Sequence, residues 1–110
     1  MVKYPIRKRW EREDGWNSLI EELIQQIAIL LDDVPFDVEV VQIKEKFGRL
    51  AFYTDGASDN IHNVIYYYEE KSTTVCEICG EEGKYRSDLS WKRTLCDFHY
   101  KDALRQKYHA

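Results

Sequence analysis

Long apolar runs are missing from this sequence. No segment approaches the roughly 20 consecutive apolar residues that a membrane-spanning helix needs. The basic N-terminal residues are also not followed by the apolar stretch of a secretory signal. We therefore expect a cytoplasmic protein with no membrane partner.

Cysteine is scarce as well. Three cysteines cannot all pair as disulfides, which excludes a disulfide-stapled scaffold. Cys76 and Cys79 instead have the Cys-x-x-Cys spacing that indicates metal or redox chemistry in a reducing compartment. An apolar content of 44% within 110 residues is enough for one packed domain and excludes wholesale disorder.

Positive charge is scarce in the middle of the chain. Residues 13–70 carry only three basic residues, Lys44, Lys46 and Arg49, against thirteen acidic ones, and the whole chain has a net charge of −4. An acidic protein gains little of the counterion-release energy that drives general nucleic-acid binding. Only the basic N-terminal arm, with Arg7, Lys8 and Arg9, and the C-terminal segment could offer a nucleic-acid contact; a solvated terminus is the alternative for the arm.

Two segments have the apolar spacing of amphipathic helices. The first runs from Trp16 to Leu31, with Ser18 and Glu21 as a capping box, Asp14 as a competing cap, and residues 32–35 ending it. The second covers residues 59–71 after a Ser58 cap. Its apolar face consists of Ile61, Val64, Ile65 and Tyr68.

Between these helices, residues 37–46 and 49–54 predict two strands joined at Phe47-Gly48 in a short-loop hairpin. The alternation of apolar and polar residues along the first strand is interrupted by the adjacent Val40 and Val41, which predicts a bulge or burial on both faces. Two helices packed on a β-hairpin sheet make residues 1–74 an α+β body. Residues 72–74 are the only candidate hinge, too short to let the remaining segment, 75–110, move freely.

Residues 75–110 carry a metal-ligand pattern, C-x2-C-x16-C-x2-H, formed by Cys76, Cys79, Cys96 and His99. Zinc takes four such ligands at tetrahedral corners, and four protein ligands leave no open position for an activated water molecule. We predict one structural zinc ion. Residues 84–86 and 91–95 predict strands and Asp97 a helix start, so the zinc lobe is treble-clef-like.

Other interpretations of these residues explain less. A redox Cys-x-x-Cys pair would leave Cys96 and His99 without a role. A zinc deaminase needs a His-x-Glu element and a proline before its second motif, and both are missing. The remaining histidines are His62 and His109, and no nucleophile and base pair is recognisable, so we expect the protein not to be an enzyme.

The sequence resembles small, mostly uncharacterised proteins encoded by bacteriophages and prophages. The matching segments are Gly15-Trp16, Lys44 to Leu50 followed by Phe52-Tyr53, Cys76 to Gly80, and Thr94 to His99. The resemblance implies a zinc-finger-like C-terminus and a location in the host cell cytoplasm. Ala51 stands where the resemblance implies a basic residue such as arginine.

Two further groups of residues are candidates for binding. Lys46, Arg49 and Tyr53 could bind a phosphorylated small molecule, with Gly48 permitting close backbone approach, or form a solvated hairpin tip. An aromatic group could line a pocket or interface, or pack in the core. It consists of Trp10, Trp16, Trp91 and Tyr66 to Tyr68.

Three functions follow as hypotheses. The first is a non-catalytic binding or adaptor module that acts on another protein and is stabilised by structural zinc. The second is a phage counter-defence protein that sequesters a host nucleotide signal. The third is a nucleic-acid-binding zinc finger, whose affinity would fall steeply with salt.

Overall fold

The computed structural model describes residues 2–3, 14–32 and 38–109, with side chains at 14–32 and 38–106. The predicted α+β class is confirmed. None of the helices in these ranges is long and apolar enough to cross a membrane. The elements are β1 (Val2–Lys3), α1 (Asn17–Leu30), β2 (Val38–Lys46), β3 (Arg49–Asp55), α2 (Asp59–Lys71), β4 (Lys84–Arg86), β5 (Arg93–Leu95) and α3 (Asp97–His109).

The first sheet has the strand order β1-β2-β3. Strands β2 and β3 form the predicted antiparallel hairpin, and β1 adds a short parallel pairing that places Val2 opposite Val38. The register shifts between Val40 and Gln42, which confirms the predicted bulge and leaves Val41 exposed. Strands β4 and β5 form a separate two-stranded sheet.

The core lies between the hairpin and the helices α1 and α2. Trp16, Ile20, Leu23 and Ile27 on the first helical segment are fully buried, as the apolar spacing predicts. They belong to one cluster with side chains from both strands and from α2, including Val38, Ile43, Leu50, Phe52, Ile61 and Ile65. Burial on this scale is the main term that stabilises the body.

The predicted capping box of α1 is wrong. Ser18 lies inside the helix, and the N-cap position belongs to Trp16, which makes no side-chain capping bond. A 3-10 turn, Asp14–Trp16, precedes the helix. Its position is set by tertiary contacts, because the Gly15 amide donates to the Glu77 carbonyl (2.9 Å) and Trp16 Nε1 donates to the Val75 carbonyl (2.9 Å).

The predicted start of α2 is confirmed: the Ser58 hydroxyl accepts from the Ile61 amide at 3.4 Å. Residues 72–74, the short candidate hinge between the body and the C-terminal segment, pack against the body. These residues form a 3-10 turn in which Ser72 is fully buried. Its hydroxyl donates to the Glu69 carbonyl and accepts from the Leu50 amide (2.9 Å), so this turn covers the outer edge of β3.

Candidate metal centre and hairpin cleft

The four predicted metal ligands come from two local structures. Cys76 and Cys79 lie in a tight turn that is closed by a bond from the Gly80 amide to the Cys76 carbonyl (2.9 Å). Cys96 directly precedes α3 and His99 lies in the first turn of that helix. The pairing of β4 with β5 brings the two ends of the pattern together.

The donor atoms of these four residues all lie within 4.8 Å of one another. Cys79 Sγ is 3.8 Å from Cys96 Sγ, and His99 Nδ1 is 3.6 Å from Cys76 Sγ and 3.2 Å from Cys96 Sγ. The cluster can hold a single metal ion. Within the described ranges no second group of histidine, cysteine or acidic side chains has this property.

The surroundings of the cluster favour a thiolate at Cys76. Burial raises the pKa of this thiol, but backbone amides of Cys96, Cys79 and Ile78 donate to its sulfur and lower the pKa to about 6. At Cys79, a backbone hydrogen bond with Glu81 acts in the same sense, yet burial and the neighbouring sulfurs outweigh it and raise the pKa. Because metals bind the thiolate, Cys76 is ready for coordination near neutral pH.

Two arginines brace the elements that carry the ligands. Arg93 on β5 pairs with the buried Glu77 between the first two cysteines (2.5 Å). Arg86 on β4 donates to the Leu95 carbonyl (3.2 Å) and to the Asp97 carboxylate (2.9 Å), which lowers the pKa of Asp97. These bonds tie both strands to the turn and to the start of α3.

The C-terminal lobe, residues 75–109, contacts the body through two glycines. A Cβ atom at Gly15 would lie 2.1 Å from the Cys76 carbonyl oxygen, and one at Gly48 would lie 2.8 Å from the Arg93 Cα atom. Real Cβ atoms do not approach backbone this closely. The Thr94 hydroxyl also donates to the Gly48 carbonyl (2.6 Å). The lobe therefore packs backbone to backbone on the start of α1 and on the hairpin turn.

A cleft of about 580 Å³, the hairpin cleft, lies where the hairpin turn, the end of α2 and the lobe meet. Lys46 and Arg49 line it, whereas the third predicted ligand-binding residue, Tyr53, lies outside its lining. The role expected for Gly48 is wrong, because its open side faces the Arg93 backbone and leaves no space for a ligand. Ala51 forms part of the cleft floor.

The predicted aromatic group divides between core and surface. Trp16 and Tyr68 are buried, which fits the core-packing alternative, whereas Tyr66 and Tyr67 are exposed. Trp91 is 60% exposed and stacks on Phe47 with ring centroids 6.0 Å apart. Trp10 and the basic residues Arg7, Lys8 and Arg9 lie outside the described residues.

The cleft lining also includes residues that were not predicted as ligand contacts, among them Phe47, Glu69, Glu70, Thr73 and Tyr85. Glu69 lies in the last turn of α2 and Thr73 in the 3-10 turn that follows it, so their places in the cleft depend on where the helix ends. No local sequence signal places Tyr85 in the cleft. It reaches the cleft only because the lobe packs on the hairpin, where its hydroxyl donates to the Phe47 carbonyl (2.8 Å).

Comparison with protein families, with curated proteins and with solved structures finds no match. The resemblance to bacteriophage and prophage proteins therefore stays a prediction.

Proposed function

We propose that the protein is a non-catalytic binding module whose C-terminal lobe, treble-clef-like, is organised by one structural zinc ion. The convergence of four donor atoms from Cys76, Cys79, Cys96 and His99 carries this proposal. Three thiolates and one imidazole are a donor set typical of structural zinc. Such an ion contributes on the order of 10 kcal/mol of apparent folding energy.

The distances support zinc. Tetrahedral zinc with Zn–S of about 2.3 Å and Zn–N of about 2.0 Å separates two sulfurs by about 3.8 Å and a sulfur and a nitrogen by about 3.5 Å. The Cys79–Cys96 sulfur distance of 3.8 Å and the Cys76–His99 distance of 3.6 Å fit these values, whereas the Cys96–His99 distance of 3.2 Å is shorter than the tetrahedral value. A protein ligand at every corner leaves no vacant corner for a reacting water molecule, so the ion would stabilise structure.

The position of the cluster supports binding as the function. The lobe that it organises supplies Tyr85 to the hairpin cleft, while the body supplies Lys46 and Arg49. A metal ion that fixes the lobe would thereby fix one wall of the cleft. The shape of the cleft would then depend on occupation of the metal site.

Elemental analysis and cobalt substitution test this proposal. Protein purified without added metal should contain one zinc ion per chain. Its cobalt form should show the strong visible absorption of four-coordinate cobalt, and azide or cyanide should leave that spectrum unchanged because no position is open. Absence of zinc, or a spectrum that responds to azide, would contradict a closed structural site.

A second candidate is the sequestration of a nucleotide signal, in the phage setting that the sequence resemblance implies. The observation that favours it is the presence of Lys46 and Arg49 in one cleft of small-molecule size. The nucleic-acid alternative involves the C-terminal segment together with Arg7, Lys8 and Arg9, and these three residues lie outside the described ones. It stays a sequence prediction.

A further inference from the structure

We propose that the hairpin cleft binds a nucleoside phosphate, with the phosphate against Lys46 and Arg49 and the base on the exposed rings of Phe47 and Tyr85. This inference rests on the proposed binding function and names the ligand class of that module. It follows from three features of the described residues: the placement of basic side chains, the aromatic wall and the size of the cleft.

The three basic residues of the segment 13–70 lie on one side of the hairpin. Residues 13–70 contain thirteen acidic residues and only three basic ones. The register pairs Lys46 with Arg49 and Lys44 with Ala51, and alternate strand residues share a face, so all three basic side chains lie on the outer face of the hairpin. Two of the three, Lys46 and Arg49, line the cleft together with the acidic Glu69 and Glu70, so the cleft offers two cationic groups to a phosphate within a lining whose charges balance.

The basic groups keep donors for a ligand. Arg49 is held by Glu70 (2.7 Å) and over the Tyr66 ring (5.3 Å), but a guanidinium has five N–H donors, and one ion pair does not use them all. Lys46 is exposed and lines the cleft. The Glu69 carboxylate accepts from the Phe52 amide (2.9 Å) and the Glu70 carboxylate pairs with Arg49, so both acidic side chains of the cleft lining already have partners in the protein.

The aromatic wall contains a strained residue. Phe47 has φ 56, a left-handed conformation that costs a non-glycine residue about 1–2 kcal/mol. Strained residues of this kind concentrate at functional sites, and an Asn-Gly turn would form the same loop without the strain. Phe47 and Tyr85 are 54% and 42% exposed. One face of the Phe47 ring stacks on Trp91, so a base would stack on its other face or on Tyr85.

The size of the cleft selects a compact ligand. A volume of about 580 Å³ lies within the range of small-molecule sites and suits a nucleoside mono- or diphosphate.

Calorimetric titration of the zinc-loaded 110-residue chain tests the inference. The probes are AMP, GMP, CMP and UMP, with inorganic phosphate, the free nucleosides and an oligothymidylate for comparison. At least one mononucleotide should bind about tenfold more tightly than phosphate or its own nucleoside. Lys46→Ala and Arg49→Ala should each weaken it about tenfold, and Phe47→Asn about fivefold or more.

Lys101→Ala is the matched control, because Lys101 is exposed on α3 and outside the cleft lining. It should leave the affinity unchanged. Three results would each overturn the inference. Lys46→Ala and Lys101→Ala could lose nucleotide affinity equally, inorganic phosphate could bind as tightly as the best nucleotide, or the oligothymidylate could bind more tightly than every mononucleotide.

The two proposals fail in different ways. A folded protein with one zinc ion per chain that binds none of the mononucleotides overturns the ligand class and leaves the zinc-stabilised module standing. Phosphorus NMR would detect any chemical conversion of the bound nucleotide. Such conversion would overturn the non-catalytic function and leave the nucleotide site standing.

Discussion

Phe47 combines an unfavourable backbone conformation with a favourable ring contact. Its backbone is left-handed, with φ 56, while its ring stacks on Trp91 and its carbonyl accepts from Tyr85. Asparagine tolerates this conformation, whereas a β-branched residue does not. The cost of the conformation and the benefit of the ring can therefore be separated by choosing the substitution.

We expect Phe47→Val to be less stable to urea than Phe47→Asn by about 1 kcal/mol or more, because both lose the ring and only valine is strained at positive φ. Urea unfolding of the two variants measures the difference. Equal midpoints would show that the turn is not left-handed in solution.

His99 decides whether the cluster is a metal site. We expect His99→Ala to lose stoichiometric zinc and to lower the free energy of unfolding by several kcal/mol, because structural zinc energy is folding energy. His99→Cys restores a fourth ligand and should keep one zinc ion per chain. Elemental analysis with thermal unfolding measures both, and retention of zinc by His99→Ala would contradict the assignment of this ligand.

At the scale of elements, the turn after α2 joins the sheet edge to the C-terminal lobe. Ser72, Thr73 and Thr74 each donate a hydroxyl hydrogen to the carbonyl three residues earlier, and Ser72 also accepts from the Leu50 amide on β3. Of the three, only Ser72 is buried. The same type of hydrogen bond is therefore expected to contribute more to the free energy of unfolding at Ser72 than at Thr73 or Thr74.

Ser72→Ala should cost about 1–3 kcal/mol, because it leaves the Leu50 amide without its acceptor in a buried place. Thr74→Ala, the matched control, removes an exposed bond and should cost about 0.5 kcal/mol or less. Chemical denaturation compares them. If both variants unfold at the wild-type midpoint, the edge of β3 is not covered as described.

Structural features that are set by neighbouring residues were predictable from the sequence. The apolar period of α1 and α2, the Ser58 cap and the interrupted alternation at Val40-Val41 are all properties of neighbouring residues, and so is the spacing of the cysteines. The prediction was wrong at Ser18, because a distant contact decides where α1 begins. Trp16 starts α1 where it bonds to Val75, and no local pattern contains that contact.

For the whole molecule, the cleft depends on how the lobe packs. Tyr85 reaches it through contacts at Gly48 and Thr94, which belong to different segments of the chain. This explains why Lys46 and Arg49 were recognisable from sequence and Tyr85 was not. It also links the cluster of four metal-ligand residues to the cleft through a series of packed backbone segments.

Removal of the metal by a chelator should therefore act beyond the lobe. We expect hydrogen exchange at the amides of Gly15 and Glu77 to accelerate at least about tenfold, because their partners are the Glu77 and Thr94 carbonyls. Amides between β2 and β3 should stay protected. Uniform acceleration throughout the chain would instead mean that lobe and body unfold as one unit.

The fluorescence of the Trp16 indole can report whether the C-terminal lobe is packed on the body. It is fully buried, and its ring nitrogen donates to Val75, next to the first metal ligand. Emission from a buried indole lies at shorter wavelengths than emission from one in water. With Trp10 and Trp91 replaced by phenylalanine, a red shift of the remaining fluorescence would follow separation of the lobe in real time.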